Sequence, residues 1–285
     1  MTKPAYHVPS MQEVQALPWN GYKVASTFSG CGGSCLGYRM AGYKVVYALE
    51  FIPEAQRTYK ANHPNSFLDG SDIRDLTPEK LMQRAGVVQG ELDILDGSPP
   101  CSAFSTAGSR EKGWGKVKNY SDGAQRVDDL FYEYARILKG VQPKVFVAEN
   151  VTGLVKGTAK GYFKRILAEL RACGYQVSCK ILDGRWLGVP QARQRTIFIG
   201  VRNDLNLPPV HPAPFSYYYT AREGLAGVSE PGEKEIKFLT PETKTETLWQ
   251  RTIPGKTFAE ACKAMTGKGT FFNFAKLDPE AIAPT

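Results

Sequence analysis

Gly97-Ser98-Pro99-Pro100-Cys101-Ser102 is the stretch best suited to covalent chemistry. It follows Asp93–Asp96, which reads as a short strand. Two consecutive prolines stiffen the backbone and set the next side chain beyond the strand tip. A thiol fixed there is placed as a nucleophile must be, given electropositive surroundings that lower its pKa from the free value of about 8.5. Singly, a Pro-Pro-Cys is more often a small buried hydrophobe, so its neighbours decide.

Glu149-Asn150-Val151 closes another expected strand, Lys144–Glu149, and directs a carboxylate to the same crevice as Cys101. A carboxylate at a strand end also serves simply to cap the next helix. Gln191-Ala192-Arg193-Gln194-Arg195 precedes the last expected strand. Two arginines spaced by two fall on one side of an extended chain, where they can hold a base carbonyl and a phosphate together. An exposed basic turn is the other reading.

Phe28-Ser29-Gly30-Cys31-Gly32-Gly33 follows the first expected strand and opens a helix. Closely spaced glycines let backbone approach a ligand and leave amides free at a helix start; plain turn glycines are the alternative. Glu50 closes the second strand, about twenty residues on, where a carboxylate can accept from ribose hydroxyls. Asp72-Ile73 follow a poorly marked third strand and suit an adenine edge or, equally, an exposed acidic turn. This pattern marks a nucleoside-containing cofactor without saying which. A dinucleotide enzyme would normally repeat the nucleotide-binding half, and no second glycine fingerprint follows a strand.

The segment from Ser105 to Tyr120 carries Arg110, Lys112, Lys116 and Lys118 against Glu111 alone. Gly108, Gly113 and Gly115 give it freedom, and Trp114 can pack in a sugar–phosphate groove. Such cations give salt-dependent phosphate affinity rather than sequence choice. The expectation is a lid that closes on DNA; a plain surface loop is the alternative.

These residues need a frame. Strands are expected at Tyr22–Phe28, Lys44–Phe51, Asp93–Asp96, Lys144–Glu149, Gln176–Leu182 and Thr196–Val201. Helices are expected at Leu36–Ala41, Pro53–Asn62, Pro78–Ala85, Gln125–Lys139 and Tyr162–Cys173. The alternation predicts an α/β fold, a doubly wound, mostly parallel sheet with helices on both faces. Ligands of such sheets sit at the carboxyl ends of the strands, where the motifs fall. Pro208, Pro209, Pro212 and Pro214 then punctuate a linker, and beyond it periodicity is weak. The expected division is an N-terminal extension at 1–20, a catalytic and cofactor-binding domain at 21–207, and a linker with an incomplete target-recognition region at 208–285.

Composition narrows the class. The 285 residues are 42% apolar and 22% charged, ordinary for a folded protein. No apolar run approaches the ~20 residues of a membrane span, and no secretory signal is evident, so a cytoplasmic protein without membrane association is expected. Six cysteines and three scattered histidines offer one close pair, Cys31 and Cys35. That is poor material for a metal site, and none is expected. The net charge is +8, yet residues 222–280 balance nine Lys/Arg against nine Asp/Glu, so the whole excess lies upstream. A basic field over the motifs suits a polyanion, and equally a solvated surface.

Together the motifs are more specific than any one of them. FSGCGG, Glu50, GSPPCS, ENV and QARQR occur in the order and near the spacing of the C5-cytosine DNA methyltransferases, and the chain resembles that family from about Val24 to Asn203. The resemblance implies S-adenosyl-L-methionine as methyl donor and a flipped-out cytosine of double-stranded DNA as acceptor. It makes Cys101 the nucleophile and sets Glu149 on the cytosine N3 and amino group, with Arg193 and Arg195 holding the base and its loop. Phe28, Gly30, Glu50, Phe51, Asp72, Ile73, Pro100 and Leu130 would line the cofactor site, with Gly32 and Gly33 in the same glycine turn.

The sequence departs from the family at its end. Relatives continue through an Arg-Glu-type helix and a final Gly-Asn motif beside the cofactor loop; here Lys276–Thr285 resembles what precedes those elements, and no Gly-Asn pair occurs. A second subunit carrying the missing motifs is favoured over a truncated or degenerate copy, because the chemical residues are intact. Two rival functions remain in view. A catalytically inactive DNA-binding or regulatory relative would keep the fold, although Cys101, Glu149 and Arg195 are all present. A nicotinamide- or flavin-dependent oxidoreductase would account for the glycine loop and Glu50 but not for GSPPCS or QARQR.

Overall fold

The computed structural model describes residues 3–100, 118–120, 123–125, 130–155, 160–228, 242–268 and 275–283. The chain forms two compact units that alternate along its length. A sheet unit comprises Pro9–Leu182 and Arg195–His211; the other comprises Met1–Val8, Asp183–Gln194 and Pro212–Thr285.

The sheet unit is built on seven strands: β1 Lys23–Thr27, β2 Lys44–Leu49, β3 Phe67–Asp69, β4 Ile94–Gly97, β7 Val145–Val151, β8 Tyr175–Asp183 and β9 Gln194–Arg202. Their spatial order is β3-β2-β1-β4-β7-β9-β8. The pairs β2–β3, β1–β2, β1–β4 and β4–β7 are parallel, and β7–β9 is antiparallel. This is the expected α/β architecture, with β9 antiparallel to its neighbour β7. The order changes direction between β1 and β4, and at such a switch point the loops leave to opposite sides and open a crevice beyond the strand ends. The two loops that diverge there are those following Thr27 and Gly97. Separately, β5 Lys118–Tyr120 pairs antiparallel with β6 Gly123–Gln125.

Helices α2 Gly33–Met40, α3 Pro53–Asn62, α4 Pro78–Ala85, α5 Leu130–Val141 and α6 Lys160–Ala172 connect the strands. Helix α4 begins where its signals say, with Pro78 in the first turn, the Thr77 hydroxyl accepting from the Lys80 amide, and Gly86 left-handed at its end. Helix α5 buries Leu130, Phe131, Tyr134, Ala135, Ile137, Leu138 and Val141, and this broad apolar stripe makes it central to the core. Tyr134 also donates to the carbonyl of Leu95 at 3.1 Å, which anchors the helix to β4.

The structure corrects several boundaries. Of the helix expected from Gln125, the described part runs from Leu130, and Gln125 itself belongs to β6. The segment before Tyr22 contributes a helix, α1 Met11–Ala16, which the sequence reading left without structure. Residues beyond 215, expected to lack a clear pattern, hold α7 Ala221–Gly224, α8 Lys244–Arg251 and α9 Phe258–Thr266. Leu248, Phe258 and Cys262 form a small core of their own in that unit.

Gly200 tests the packing. A Cβ there would collide with the ring of Phe146, which is fully buried across the β7–β9 pair. Alanine in a strand normally costs less conformational entropy than glycine, so the expected sign is diagnostic. Gly200→Ala should lower stability by about 1–3 kcal/mol through overpacking, read from urea denaturation.

Candidate functional site

At the end of β1 the chain turns sharply. Phe28 adopts a left-handed conformation with φ of 55°, as do Gly30 at 55° and Gly32 at 92°. A phenylalanine there is uncommon and marks a turn held by its surroundings. Glu50, buried at the end of β2, is the holder: one carboxylate oxygen accepts the Gly30 amide at 2.7 Å and the other the Ile52 amide at 2.8 Å. Gly32 caps the start of α2, whose first turn supplies Ser34.

Beside this turn lies a pocket of about 260 Å³. Phe28, Phe51, Ile73 and Leu130 provide apolar walls, and Glu50 and Asp72 acidic ones. Pro100 and Ser98, from the loop after β4, close one side, and Leu49, Ile52 and Ser71 complete the lining. Seven residues singled out in the sequence thus converge on one cavity. Gly30, Gly32 and Gly33 do not line it and instead shape the turn and helix start beside it. Sequence reasoning missed Leu49, Ile52 and Ser71, each of which flanks a motif residue, and did not assign Ser98, within the GSPPCS motif, to the cavity. Asp72 is also paired with Arg74 at 3.0 Å.

Behind the pocket, Asp96 is buried at the end of β4 and bridges three elements. It accepts from Ser26 of β1 at 2.9 Å, and from Ser34 and Tyr38 of α2 at 2.8 and 3.2 Å. Burial pushes its carboxyl pKa up, an effect that the three hydroxyl donors oppose. The cluster ties the strand leading to Cys101 to the helix behind the glycine turn.

The third feature sits at the end of β7. Glu149 lies opposite Ile197 of β9, and Val151 opposite Arg195. Side chains two apart share a sheet face, so the register brings Arg195 alongside Glu149. The guanidinium Nε lies 2.6 Å from the carboxylate, both side chains being partly exposed. Between them in sequence, Asn150 is buried and donates to the carbonyl of Pro99 at 3.1 Å. That bond fastens the Pro-Pro turn to β7, a positioning role not read from the sequence.

Arg193 behaves differently from Arg195. It lies ahead of β9 in the other unit, exposed, with its carbonyl accepting from Gly184 at 2.9 Å. The expected alternation along one extended strand therefore does not extend to Arg193. Cys101 and the predicted DNA-contacting residues Ser105, Arg110, Lys112, Trp114 and Lys116 lie outside the described residues, as does the side chain of Lys118. Among the described residues no group of three or more His, Cys, Asp or Glu side chains could hold a metal ion, and no helix is long and apolar enough to cross a membrane.

A doubly wound sheet with a glycine turn, an acidic residue ending β2 and an apolar pocket at the switch point defines a nucleoside-cofactor domain of the α/β class. The comparisons with known proteins narrow this. Residues 22–266 match the model of the C-5 cytosine-specific DNA methylase family, and the chain belongs to that family. It is 36% identical over 197 residues to the Type II methyltransferase M.NgoPII of Neisseria gonorrhoeae, covering 69% of this chain and 53% of that one. With the Type II methyltransferase M.FnuDI of Fusobacterium nucleatum it shares 34% identity over 237 residues, or 82% and 58% of the two chains. The chain thus spans little more than half the length of these relatives. The fold matches the solved structure of Spodoptera frugiperda DNMT2 with a TM-score of 0.60 at 23% identity, covering 82% of this chain and 66% of that one. Membership in a methyltransferase family implies use of S-adenosylmethionine.

Asp69, at the end of β3 and two residues before the pocket-lining Ser71, gives a prediction in pH. Burial works against its charge, but hydrogen bonds from Ser71 and Tyr47 and the neighbouring Arg84 guanidinium prevail and hold its carboxyl below the usual range. A depressed carboxyl stabilises the fold above the unfolded pKa of about 3.9 and loses that contribution as pH falls through the folded value. Asp69→Asn should therefore be less stable than wild type near neutrality, with the gap narrowing on acidification. Urea titrations in that range measure it.

Proposed function

We propose that the chain is a DNA cytosine-5 methyltransferase that uses S-adenosylmethionine and acts through a covalent adduct of Cys101. The observation that carries this reading is the Glu149–Arg195 pair beside the Asn150–Pro99 bond. Together they set a carboxylate with a fixed partner next to the rigid turn that leads into Cys101.

The pocket suits the cofactor. Its apolar walls can enclose an adenine ring, and Glu50 retains acceptor capacity beyond its two amides, since a carboxylate offers about four lone-pair sites. Phe28, Phe51, Ile73 and Leu130 would sandwich the nucleoside, Glu50 would accept from the ribose, and Asp72 would face the base edge. When bound, S-adenosylmethionine supplies an electrophilic methyl group on a cationic sulfur.

Cytosine C5 is too weak a nucleophile to take that methyl unaided. Cys101 as thiolate adds to C6, and Glu149 holds the protonated N3 and the amino group, which makes C5 an enamine carbon. Arg195 keeps the Glu149 carboxylate oriented. C5 would then take the methyl of bound S-adenosylmethionine as the methyl–sulfonium bond breaks, leaving S-adenosylhomocysteine as a neutral thioether. Loss of the C5 proton to a base would then expel Cys101 as thiolate with cleavage of the C6–S bond. The reacting atoms are stacked inside a duplex, so the base is flipped out at a cost of a few kcal/mol. Cations of the segment 105–120 would grip the phosphates around the vacated position.

DNA containing 5-fluorocytosine at the target position decides the matter, because fluorine cannot leave as the C5 proton does. Incubated with labelled cofactor and reconstituted with any second subunit that supplies the missing motifs, the wild-type protein should form an adduct that survives denaturation and maps to Cys101. Cys101→Ala should form none and should transfer no methyl groups, while binding the cofactor normally by calorimetry. Full transfer by that variant would remove the mechanism.

A further inference from the structure

His63 ends α3 directly behind the glycine turn, and its ring is fixed by two contacts. Its Nε2 lies 3.0 Å from the carbonyl oxygen of Gly32, and its Nδ1 lies 3.1 Å from Nη1 of Arg39. A guanidinium can only donate, so Nδ1 must accept. The ring proton therefore sits on Nε2 and is donated to Gly32. The Tyr59 ring packs against it at a tilt of 33° with centroids 4.6 Å apart, and His63 is almost wholly buried. A Cβ on Gly32 would collide with this imidazole, so the turn and the ring fit only with glycine there.

We infer that His63 is a positioning residue for the cofactor turn: as the neutral Nε2–H tautomer it holds the Gly32 carbonyl, and so the start of α2, in the cofactor-binding arrangement. The inference rests on the functional reading above. Glu50 grips the turn at the Gly30 amide and His63 grips it at the Gly32 carbonyl. One contact supplies an acceptor and the other a donor, which fixes the peptides between them in direction as well as place. Arg39 also donates to the carbonyl of Asn62 at 2.8 Å, so the end of α3 and the ring share one guanidinium.

The arrangement tolerates only an uncharged ring. A second proton would have to sit on Nδ1, facing Arg39, and the two cations would repel. Other ionisable groups around the ring are Tyr59 on α3, which donates to Cys35 of α2 at 3.3 Å, and Tyr43 and Lys44, which line a neighbouring cavity of about 540 Å³. The residues lining that cavity, Arg39 and His63 among them, include no carboxylate to compensate. Burial first, and Arg39 second, hold the imidazole pKa below its ordinary value, consistent with this geometry. Cofactor binding should therefore be insensitive to pH near neutrality and weaken in acid as the ring is forced to accept a proton.

The test measures S-adenosylmethionine binding by calorimetry on the full chain from about pH 8 to about pH 5, a range that spans histidine titration. Wild-type affinity should hold and then fall by up to about tenfold per pH unit once the ring titrates. His63→Gln, whose amide can donate to Gly32 and accept from Arg39 without titrating, should bind near wild-type levels with no acid decline of that size. His63→Leu should bind about tenfold more weakly than wild type near neutrality, about the net worth of one hydrogen bond, without the acid decline and with kcat at saturating cofactor retained. Nitrogen-15 NMR of labelled histidine should show one ring as the Nε2–H tautomer, and that signal should vanish in His63→Gln. An acid decline in His63→Gln equal to wild type, wild-type binding by His63→Leu, or an Nδ1–H tautomer for His63 overturns the inference. Should His63→Leu fail to fold, the comparison of wild type with His63→Gln decides. Failure of wild type to bind the cofactor at pH 8 would instead count against the functional reading, with the tautomer still read independently.

Discussion

Two backbone amides converging on one buried carboxylate set the terms for the rest of the sheet unit. Glu50 takes the amides of Gly30 and Ile52 on its two oxygens, joining the loops that leave the carboxyl ends of β1 and β2. The contact forces the chain after β1 into left-handed geometry at Phe28, a conformation its surroundings must enforce. Helix α2 starts where it does because the turn ends there, and the pocket exists because Phe28 and Phe51 emerge on either side of the same carboxylate. A charged acceptor of amide hydrogens is stronger than a neutral one, and its burial keeps water from competing.

From that anchor, polar contacts run through the core towards the reactive end. Asp96 receives three hydroxyls from β1 and α2, and five residues later the chain reaches the proposed nucleophile. Asn150 fixes the intervening turn through Pro99. The cofactor end and the acceptor end are thus connected through short hydrogen bonds on parallel strands, whose relative positions the sheet ladder fixes. The proposed methyl transfer would demand this kind of rigidity, since donor carbon and attacking carbon must meet in line within near-contact distance.

Much of this was legible in the sequence, for physical reasons. Buried parallel strands are β-branched runs, and the central ones were placed to within two residues. Helices α3 and α4 were placed to the residue because Pro53 and Pro78 fix a first turn, and in α4 Gly86 fixes the last. The site residues were found because strand ends are where a doubly wound sheet binds ligands. What escaped depends on tertiary register. Nothing local says that Asn150 reaches Pro99, or that Arg195 but not Arg193 falls within the strand beside Glu149. The missed helices α1, α7, α8 and α9 are too short for periodicity to declare them. Each is announced by a Ser/Thr-x-x-Glu cap at Ser10, Thr220, Thr243 or Thr257, a signal with a clear mechanism that carries weight even where the apolar pattern is faint.

The interleaving of the two units along the chain has a consequence for how the protein can be dissected. The backbone passes from one unit to the other after residues 8, 182, 194 and 211. The excursion Asp183–Gln194 is inserted between adjacent sheet strands, yet within it the Ala192 amide donates to the Ala283 carbonyl and the Pro190 carbonyl accepts from the Ala283 amide. Neither unit is a contiguous stretch, so no single protease cut or expression boundary releases either one whole. Strand pairing in the sheet and formation of the second unit therefore share one interleaved backbone, and a change of length within 183–194 acts on both at once.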